Sequence, residues 1–421
     1  MENRITALGK PESAKVFQNG TFILAWIFGL LFYFLEYVIR SAPAVMISQL
    51  SGLFQINPLG VSSILGTYYY TYSITSLVAG VSLDRFGAKY PIAVGTAVLF
   101  LGCMLFAIPT IAMGDAGRLL QGAGSAFAFT GCVYLAAHGF SARYLATAIG
   151  VTQCIGMLGG SVGQFVTGPL LKTGLSVTAF WIAIGIACGI VCLLLFFSTP
   201  KENKSKESSK SFSNVLIPYR IVFTNLQSYL SGIISGLLFA PTTIFAMTWG
   251  VTFLQHDRGI SYETAVVVCS MVPLGWVIGA PLLGWISDRL GRRKPVLIVS
   301  IFVMLTCLAQ FAFLPAVVRP FLSMLIFGIC SGSAMIPYSI IKEANPDNVK
   351  GSATGGINFL TFGVTAVLGP IFAHFFGKSL LTTTDHVSHF SGAISFLMAT
   401  TAIALLVSFI IQETGSSIKQ L

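Results

Sequence analysis

Long apolar runs alternate with short polar stretches along almost the whole chain. Twelve of these runs are long enough to cross the roughly 30 Å hydrocarbon core of a bilayer as α-helices. We number them spans 1 to 12: 22–48, 60–83, 91–110, 113–138, 144–171, 178–198, 226–254, 262–286, 295–314, 318–342, 351–376 and 389–411. The pattern predicts an all-α membrane protein with twelve transmembrane helices.

A charged, serine-rich stretch, STPKENKSKESSKSFSN, lies between spans 6 and 7 and reads as a flexible linker. It divides the chain into two halves of similar length. The predicted organisation is therefore an N-terminal segment, a six-helix half, a linker, a second six-helix half and a tail, at 1–21, 22–199, 200–217, 218–411 and 412–421.

The two halves repeat one another in sequence. GVSLDRFGAK (80–89) aligns with GWISDRLGRR (284–293) at an offset of 204 residues, and GVTQ (150–153) aligns with GINF (356–359) at an offset of 206. Duplicated halves predict a pseudo-symmetric bundle, an architecture in which transporters place the binding site between the repeats.

Composition supports a membrane protein. The chain is 55% hydrophobic and 9% charged, with a net charge of +10, whereas soluble domains are about 25% charged. With the N-terminus inside, 18 Lys and Arg residues fall in cytoplasmic segments and 4 in outer ones. This asymmetry predicts that both termini are cytoplasmic, and it explains the basic charge without a nucleic-acid partner. We expect a bacterial inner (plasma) membrane.

No enzyme signature is present in the sequence. The eight cysteines all lie in apolar runs without metal-ligand spacing, and there is no phosphate-binding lysine motif. We therefore expect no metal, no cofactor and no nucleotide domain, so that transport would be secondary. The expected partners are a small-molecule substrate, protons as coupling ion and the lipid bilayer, and the expected state is a monomer.

The doubled G-x-x-x-D-R-x-G-x-K/R loop and GRLLQGAG (117–124) resemble the motifs of the major facilitator superfamily. The resemblance implies two six-helix halves that rock about a central site. Asp84 and Asp288 end spans 2 and 8, where a carboxylate can cap a neighbouring helix and pair with basic residues while that side is shut. The alternative is that the loop only fixes topology. The candidate gating residues are Gly80, Asp84, Arg85, Gly284, Asp288 and Arg289.

Two subfamilies share local features with this chain. FLEYVIRSAPAVM, YYYTYS and FAMTWGVTFLQ resemble proteobacterial intraphagosomal nutrient transporters, which carry amino acids and related solutes. Tyr37 and Arg40 also resemble the Tyr-x-x-Arg of anion:cation symporters, in which these residues bind a substrate carboxylate, and Tyr72 matches a binding tyrosine there. Ser125 stands where those carriers often place a proton-handling Glu, so proton coupling by that route is not implied.

Span 1 carries two charges in an apolar run, each of which costs about 2.5–3.5 kcal/mol at the centre of a spanning helix. Tyr33, Glu36, Tyr37 and Arg40 share one helical face. One reading is that Arg40 binds a substrate carboxylate as a bidentate fork, while Glu36 holds Arg40 between substrates or carries a proton. The other is a structural ion pair, or an arginine that reaches the outer surface.

The remaining candidates each have a structural alternative. Arg118 and Asp115 could tune a proton carrier or form an interfacial pair. Gln153 and Asn358 could bind substrate or join helices. Trp249 is a binding candidate only through the family resemblance, and would otherwise anchor at the interface. The complete predicted substrate site is Tyr33, Tyr37, Arg40, Tyr68, Tyr72, Gln153, Trp249 and Asn358, with Glu36, Asp115 and Arg118 as proton-coupling residues.

Together these patterns predict a secondary active transporter that imports a small carboxylate-bearing solute, an amino acid or organic anion, with protons by alternating access. Two alternatives stay open at this point: an exporter of drugs or metabolites, and uptake of a larger polycarboxylate such as a siderophore.

Overall fold

The structure, a computed structural model, describes residues 19–202, 212–313, 318–346, 349–382 and 391–415. Within these ranges the chain is built almost entirely from helices, as the sequence predicts. Most of the predicted segment 1–21, the centre of the predicted linker and the last six residues of the tail lie outside the described residues.

Nine helices belong to the first half and the linker: α1 Gly20–Ser41, α2 Ile47–Phe54, α3 Pro58–Phe86, α4 Lys89–Phe106, α5 Ile111–Gly139, α6 Ala142–Phe165, α7 Thr167–Lys172, α8 Val177–Ser198 and α9 Phe212–Thr224. The second half contains α10 Leu226–Ala240, α11 Gly250–Arg258, α12 Tyr262–Leu290, α13 Lys294–Phe313, α14 Pro320–Ser331, α15 Ile336–Glu343, α16 Lys350–Thr382 and α17 Ser391–Ile410.

Eleven helical segments of the described chain are long and apolar enough to cross a membrane. They correspond to every predicted span except span 2. That span is α3, which at 29 residues is about 43 Å long. Its run of tyrosines, serines and threonines makes it less apolar, although its length is sufficient to cross. The predicted all-helical, two-half membrane fold is therefore confirmed.

Several spans are not single α-helices. Span 1 leaves α-helical geometry after Ser41 and continues as a 3₁₀ segment, Ala42–Val45, which contains Pro43. Span 7 is interrupted by a π-helical segment, Pro241–Trp249, that begins at a proline. Proline lacks the N–H donor that regular helical bonding requires, so these breaks follow from sequence. A second 3₁₀ segment, Gly332–Met335, interrupts span 10.

Glycines allow the closest helix contacts, and they do so at equivalent places in the two halves. A Cβ on Gly122 of α5 would lie 2.1 Å from the Tyr68 carbonyl oxygen on α3. A Cβ on Gly328 of α14 would lie 2.1 Å from the Val272 carbonyl oxygen on α12. Only glycine fits at such separations, because any side chain would overlap backbone. The repeat in the sequence is therefore also a repeat in packing.

The two halves meet along α3 with α16 and along α6 with α12. Ser73 donates to the Phe359 carbonyl at 2.8 Å across the first seam, and Ser161 donates to the Ser270 carbonyl at 3.0 Å across the second. We call the end of the bundle that holds residues 19 and 415 the terminal end, and the other the opposite end.

The linker is partly helical, and it packs on both halves. α9 begins at Phe212, inside the segment predicted to be flexible. Its Tyr219 hydroxyl donates to the Leu77 carbonyl at 3.0 Å and lies 2.8 Å from where a Cβ on Gly355 would be. Burial of Tyr219 between α3 and α16 favours this helix, a tertiary contact that the polar composition of the linker did not reveal.

Candidate functional site

The charge pair of span 1 is fully buried. An Arg40 Nη2 proton is donated to Glu36 Oε1, and the Tyr68 hydroxyl donates to the same oxygen. The Tyr68 oxygen also accepts from Arg40, with distances of 3.4 Å to Nε and 3.3 Å to Nη2. Arg40 Nη1 and Glu36 Oε2 have no hydrogen-bond partner. The pair therefore keeps one donor and one acceptor available for further hydrogen bonds, which buried polar groups normally form.

Aromatic rings enclose the Arg40 guanidinium. Its Cζ lies 4.4 Å from the centre of the Tyr37 ring and 4.9 Å from the centre of the Tyr72 ring. The Phe362 ring, on α16 of the other half, is also 4.9 Å away. Such cation–π contacts contribute about 0.5–2 kcal/mol each. Arg40 thus does not reach the surface, and its stabilisation depends on both halves of the molecule.

Arg118 is the second buried arginine and belongs to the same cluster. Its Cζ lies 4.8 Å from the centre of the Tyr68 ring. Its Nη1 donates to Gln121 Oε1 at 2.7 Å and to the Ile39 carbonyl at 3.3 Å, while Nε has no partner. Asp115 is only partly buried, and none of the ion pairs among the described residues joins it to Arg118.

The buried cluster carries excess positive charge. Among the described residues the buried ionisable acids and bases are Glu36, Arg40 and Arg118, which amount to two cations and one anion. An uncompensated charge in a low-dielectric region costs several kcal/mol. The cluster is therefore electrostatically suited to receive an anion.

A small cavity of about 20 Å³ lies beside this cluster, between the two halves. Tyr33, Tyr37, Tyr72 and Gln153 line it from the first half, with Asn358 facing them from α16. Gln153 Oε1 accepts from the Tyr33 hydroxyl at 3.2 Å, and Asn358 Oδ1 accepts from the Tyr338 hydroxyl at 2.5 Å. Five of the eight predicted substrate residues thus line the cavity. Arg40 and Tyr68 contact that lining through Tyr37 and Tyr72, so seven of the eight lie at or beside the cavity.

Sequence reasoning missed several residues of the second half that line this cavity. They are Ser235, Phe239, Trp276, Tyr338, Thr361 and Phe362. Trp276 lies on α12. It is fully buried, and its indole Nε1 donates to Thr242 Oγ1 at 3.1 Å. In an apolar span, the sequence does not distinguish an apolar or aromatic residue that lines a cavity from one that packs against a neighbouring helix.

Trp249 lies elsewhere. It is buried in the π-helical segment and lines a separate cavity towards the opposite end, together with Tyr69 and Tyr70. Trp249 is therefore not on the wall of the central cavity. The π-helical segment that carries it lies nearer the opposite end, whereas Trp276 lies level with the central cavity and lines it.

A larger cavity of about 220 Å³ leads from the central cavity towards the terminal end. The two share Phe129, Gln153, Met335 and Tyr338 in their walls. Asp288 and Arg293 lie at the far side of the larger cavity, at the loop that follows α12. In this state the larger space next to the central cavity therefore lies on the side of the terminal end.

The opposite end is closed above the central cavity. The 3₁₀ segment of span 1 packs against the π-helical segment of span 7. The Tyr262 hydroxyl donates to the Val45 carbonyl at 2.5 Å, and Gln164 Nε2 donates to the Ala246 carbonyl at 2.7 Å. Lys172 and Glu263 form an exposed ion pair across the same seam.

The gating candidates of the first half lie at the terminal end. Gly80 faces the linker helix, where an added Cβ would lie 3.2 Å from the Tyr219 hydroxyl. Asp84 is exposed and Arg85 is partly buried. Glu202, just after α8, caps the neighbouring helix: its Oε1 accepts from the Ala88 N–H at 3.0 Å and its Oε2 from the Tyr134 hydroxyl at 2.8 Å.

The second loop copy has an equivalent arrangement. Asp288 pairs with Arg293, which also donates to Glu343 Oε1 at 2.7 Å. Glu413, just after α17, accepts from the backbone N–H groups of Arg293 and Lys294 at 2.7 and 3.0 Å. Gly284 faces open space, and the Arg289 guanidinium lies 5.3 Å from the centre of the Trp285 ring.

The two capping glutamates were missed in the sequence. Glu202 and Glu413 each follow the last helix of their half, and each satisfies the N-terminus of the third spanning helix of that half. Their matching positions in the repeat were a usable signal. No group of His, Cys, Asp and Glu suited to a metal ion occurs in the part of the chain that the structure describes.

Comparison with known proteins agrees with this architecture. The sequence profile of the Major Facilitator Superfamily matches residues 29–370. A hexuronate transporter of Bacillus subtilis (strain 168) is 25% identical over 398 residues, which cover 88% of this chain and 90% of the relative. A probable galactarate/D-glucarate transporter of Escherichia coli (strain K12) is 20% identical over 406 residues, covering 86% and 88%.

A crystal structure of a D-xylose-proton symporter superposes with a TM-score of 0.71 at 14% identity, over 92% of this chain and 96% of the symporter. At that identity the likeness shows the fold alone. The family profile covers more than half of the chain. From the twelve spans, the doubled loop motif, the two packed halves and this match, the chain belongs to the Major Facilitator Superfamily, whose members are membrane transporters and not enzymes.

Proposed function

We propose that the protein imports a small organic anion, which binds through a carboxylate at Arg40. The observation that carries this proposal is the excess positive charge of the buried cluster beside the central cavity. Arg40 Nη1 has no partner, so a second acceptor can be added there. A guanidinium binds carboxylates well because its donors match both oxygens.

The lining favours a hydroxylated carboxylate over an amino acid. Asp and Glu are absent from the described residues that line the central cavity, and Glu36 is already engaged by Arg40 and Tyr68. An ammonium group would lack a counter-charge, whereas hydroxyls could bond to Gln153 and Asn358. The names of the two relatives, a hexuronate and a galactarate/D-glucarate transporter, agree with such a substrate.

Access to Arg40 requires movement of its aromatic enclosure. Tyr37, Tyr72 and Phe362 lie between the guanidinium and the central cavity. Because Phe362 belongs to the second half, a substrate that displaces its ring changes a contact between the halves. Substrate binding and the rocking of the halves would be coupled through this contact.

Glu36 is the proposed proton carrier. When a substrate carboxylate shares the Arg40 guanidinium, it neutralises part of the positive charge that stabilises the Glu36 carboxylate. A buried carboxylate with less compensating charge favours its neutral form, so Glu36 would take up a proton as substrate binds. Anion and proton would then move together. The positive charge of Arg118 would remain in the cluster and favour binding of the next anion.

We further propose that the two copies of the loop motif keep the terminal end closed while the opposite end is open. The roles fall to Gly80, Asp84, Arg85, Gly284, Asp288 and Arg289, with both chain termini cytoplasmic in a bacterial inner membrane. Asp288 already pairs with Arg293 of its own loop while the opposite end is closed. This pair orders the second loop copy, and the latch itself would need contacts that form when the terminal end closes.

The test is a thermal-shift screen of purified protein with hexuronates, aldarates, simple carboxylates, amino acids and neutral sugars. We expect the largest shift from a hydroxylated carboxylate, and no shift in Arg40→Ala. Arg220→Ala, which removes an exposed arginine on the linker helix, is the matched control and should keep the shift. A best ligand without an anionic group would overturn the proposal, as would an unchanged shift in Arg40→Ala.

A further inference from the structure

A cavity near the membrane-facing surface is separate from the substrate path. It has a volume of about 280 Å³ and lies between α3, the π-helical segment and α16, towards the opposite end. Tyr69 and Phe362, whose ring centres are 6.4 Å apart, stand between it and the Arg40 cluster. The central cavity, at about 20 Å³, is far smaller. The size and position of this lateral cavity therefore need their own explanation.

Most of the wall of the lateral cavity is apolar. None of the described residues that line it is an Asp, Glu, Lys or Arg, although the lining includes the His374 imidazole. The hydroxyls of Thr67 and Thr248 donate to the carbonyls of Ile64 and Thr243 within their own helices, at 2.7 and 2.8 Å. Their hydrogen-bonding needs are thus met locally, and the wall offers mostly methyl groups and aromatic rings. Other polar groups of the lining include the hydroxyls of Ser62, Ser63 and Thr365 and the His374 imidazole.

The cavity opens where the two halves face the bilayer. Tyr70 on α3 is 43% exposed, and His374 on α16 is also exposed; both line the cavity. Gly66 and Gly369 line the space between the helices, and an added Cβ on either would have no atom within 4 Å. The cavity is therefore continuous with the lipid-facing surface, and it stays open because both positions are glycines, which have no side chain to fill it.

We propose that one acyl chain of a membrane lipid lies in this cavity, between α3 and α16, with Trp249 forming its inner wall. The mostly apolar lining, the absence of Asp, Glu, Lys and Arg from its described residues and the continuity with the bilayer favour hydrocarbon over water or solute. A dry apolar cavity of about 150 Å³ already binds a small hydrocarbon in another protein. Because the chain would fill the seam between the halves, it would stabilise the state in which the opposite end is closed.

The experiment uses the fluorescence of Trp249 in reconstituted protein. Wild type and Trp249→Phe are placed in phosphatidylcholine vesicles with ordinary or brominated acyl chains, and the difference between their emission isolates Trp249. Bromine quenches indole only near contact, so we expect loss of the Trp249 emission in brominated vesicles. Trp285, which is 56% exposed on the outside, remains in the variant and verifies that quenching occurs.

Gly66→Leu fills the cavity and should restore Trp249 emission in brominated vesicles. Gly52→Leu is the matched control, because it adds the same side chain where there is also open space, on α2 outside the cavity. Unquenched Trp249 in wild type would overturn the proposal, and equal quenching in Gly66→Leu would overturn the assigned site. Quenching of Trp249 by aqueous iodide instead would mean a water-filled vestibule, which also overturns it.

Discussion

At the scale of single residues, the Arg40 cluster stabilises two arginines in an apolar bundle with one carboxylate. Arg40 shares Glu36 with Tyr68, and it gains further stabilisation from aromatic faces. Removing one partner of a buried ion pair typically costs about 3–5 kcal/mol, since the remaining charge is left uncompensated. The cluster should therefore respond strongly to small chemical changes.

Tyr68→Phe should lower both the thermal stability and substrate affinity. The change removes the donor to Glu36 Oε1 and the acceptor for Arg40, at a cost of about 1–3 kcal/mol for groups left unsatisfied in a buried site. Tyr70→Phe makes the same chemical change at a neighbouring, partly exposed tyrosine, and should leave the unfolding temperature nearly unchanged. Equal effects of both variants, measured by thermal unfolding in detergent, would contradict a special role for Tyr68.

Glu36→Gln should separate substrate exchange from proton coupling. An amide keeps the size of the side chain but cannot carry a proton, so pH-gradient-driven accumulation should be lost. Counterflow of labelled substrate between preloaded vesicles and medium should persist, because the Arg40 guanidinium becomes freer to bind the anion. Accumulation that still follows the pH gradient in this variant would assign the proton to another group.

At the scale of helices, carboxylates from distant parts of the chain satisfy helix N-termini. Glu202 does so for α4, and Glu413 does so for α13. The positive end of a helix dipole favours a carboxylate at that place. Since each glutamate follows the last helix of its half, the two caps fix the sixth helix of each half to the third.

The Glu413 cap should make stability depend on pH. Partial burial raises the pKa of Glu413, but hydrogen bonds from four backbone N–H groups outweigh burial and lower the pKa below its usual value of 4.5. The carboxylate therefore stabilises the fold fully at pH values above 4.5, and this contribution is lost as the pH falls through the lowered pKa.

Glu413→Gln should consequently be less stable than wild type at neutral pH, and the difference should shrink in acid. Thermal unfolding between pH 3 and pH 7, which brackets the carboxyl range, measures this. Glu263→Gln, at an exposed glutamate of the opposite end, should show little change at any pH. A stability gap that is constant over the whole range would argue against the cap as its cause.

At the scale of the whole molecule, the structure is closed at the opposite end and has its larger cavity towards the terminal end. The contacts that close it join the halves directly, through Tyr262 with Val45, Gln164 with Ala246 and Lys172 with Glu263. For the opposite end to open, all three must break. The equilibrium between states would therefore respond to a link placed across this seam.

A covalent link between residues 172 and 263 should trap this state. With Lys172→Cys and Glu263→Cys combined, a bifunctional thiol reagent should abolish uptake, and a cleavable reagent should allow recovery after reduction. Each single cysteine variant, treated in the same way, should keep its uptake and serves as the control. Full uptake after complete cross-linking would mean that the opposite end need not open at this seam.

The fold was largely predictable from sequence. Apolar length, the doubled loop motif and the repeat spacing predict the twelve spans and the two halves, since a bilayer forces each span to satisfy its backbone as a helix. The face of span 1 with Tyr33, Glu36, Tyr37 and Arg40 was also predictable, because charges are costly in an apolar run. The helical breaks at Pro43 and Pro241 follow from proline chemistry.

The sequence by itself determined the class of the protein, its repeat and the buried charges that demand a site. Only the tertiary structure decided which aromatic rings enclose Arg40, that Phe362 and Trp276 face the cavity, and that Trp249 does not. The physical reason is that hydropathy constrains each helix separately. In a bundle that is apolar on most faces, side chains which line a cavity differ from those which pack only by the position of the neighbouring helices.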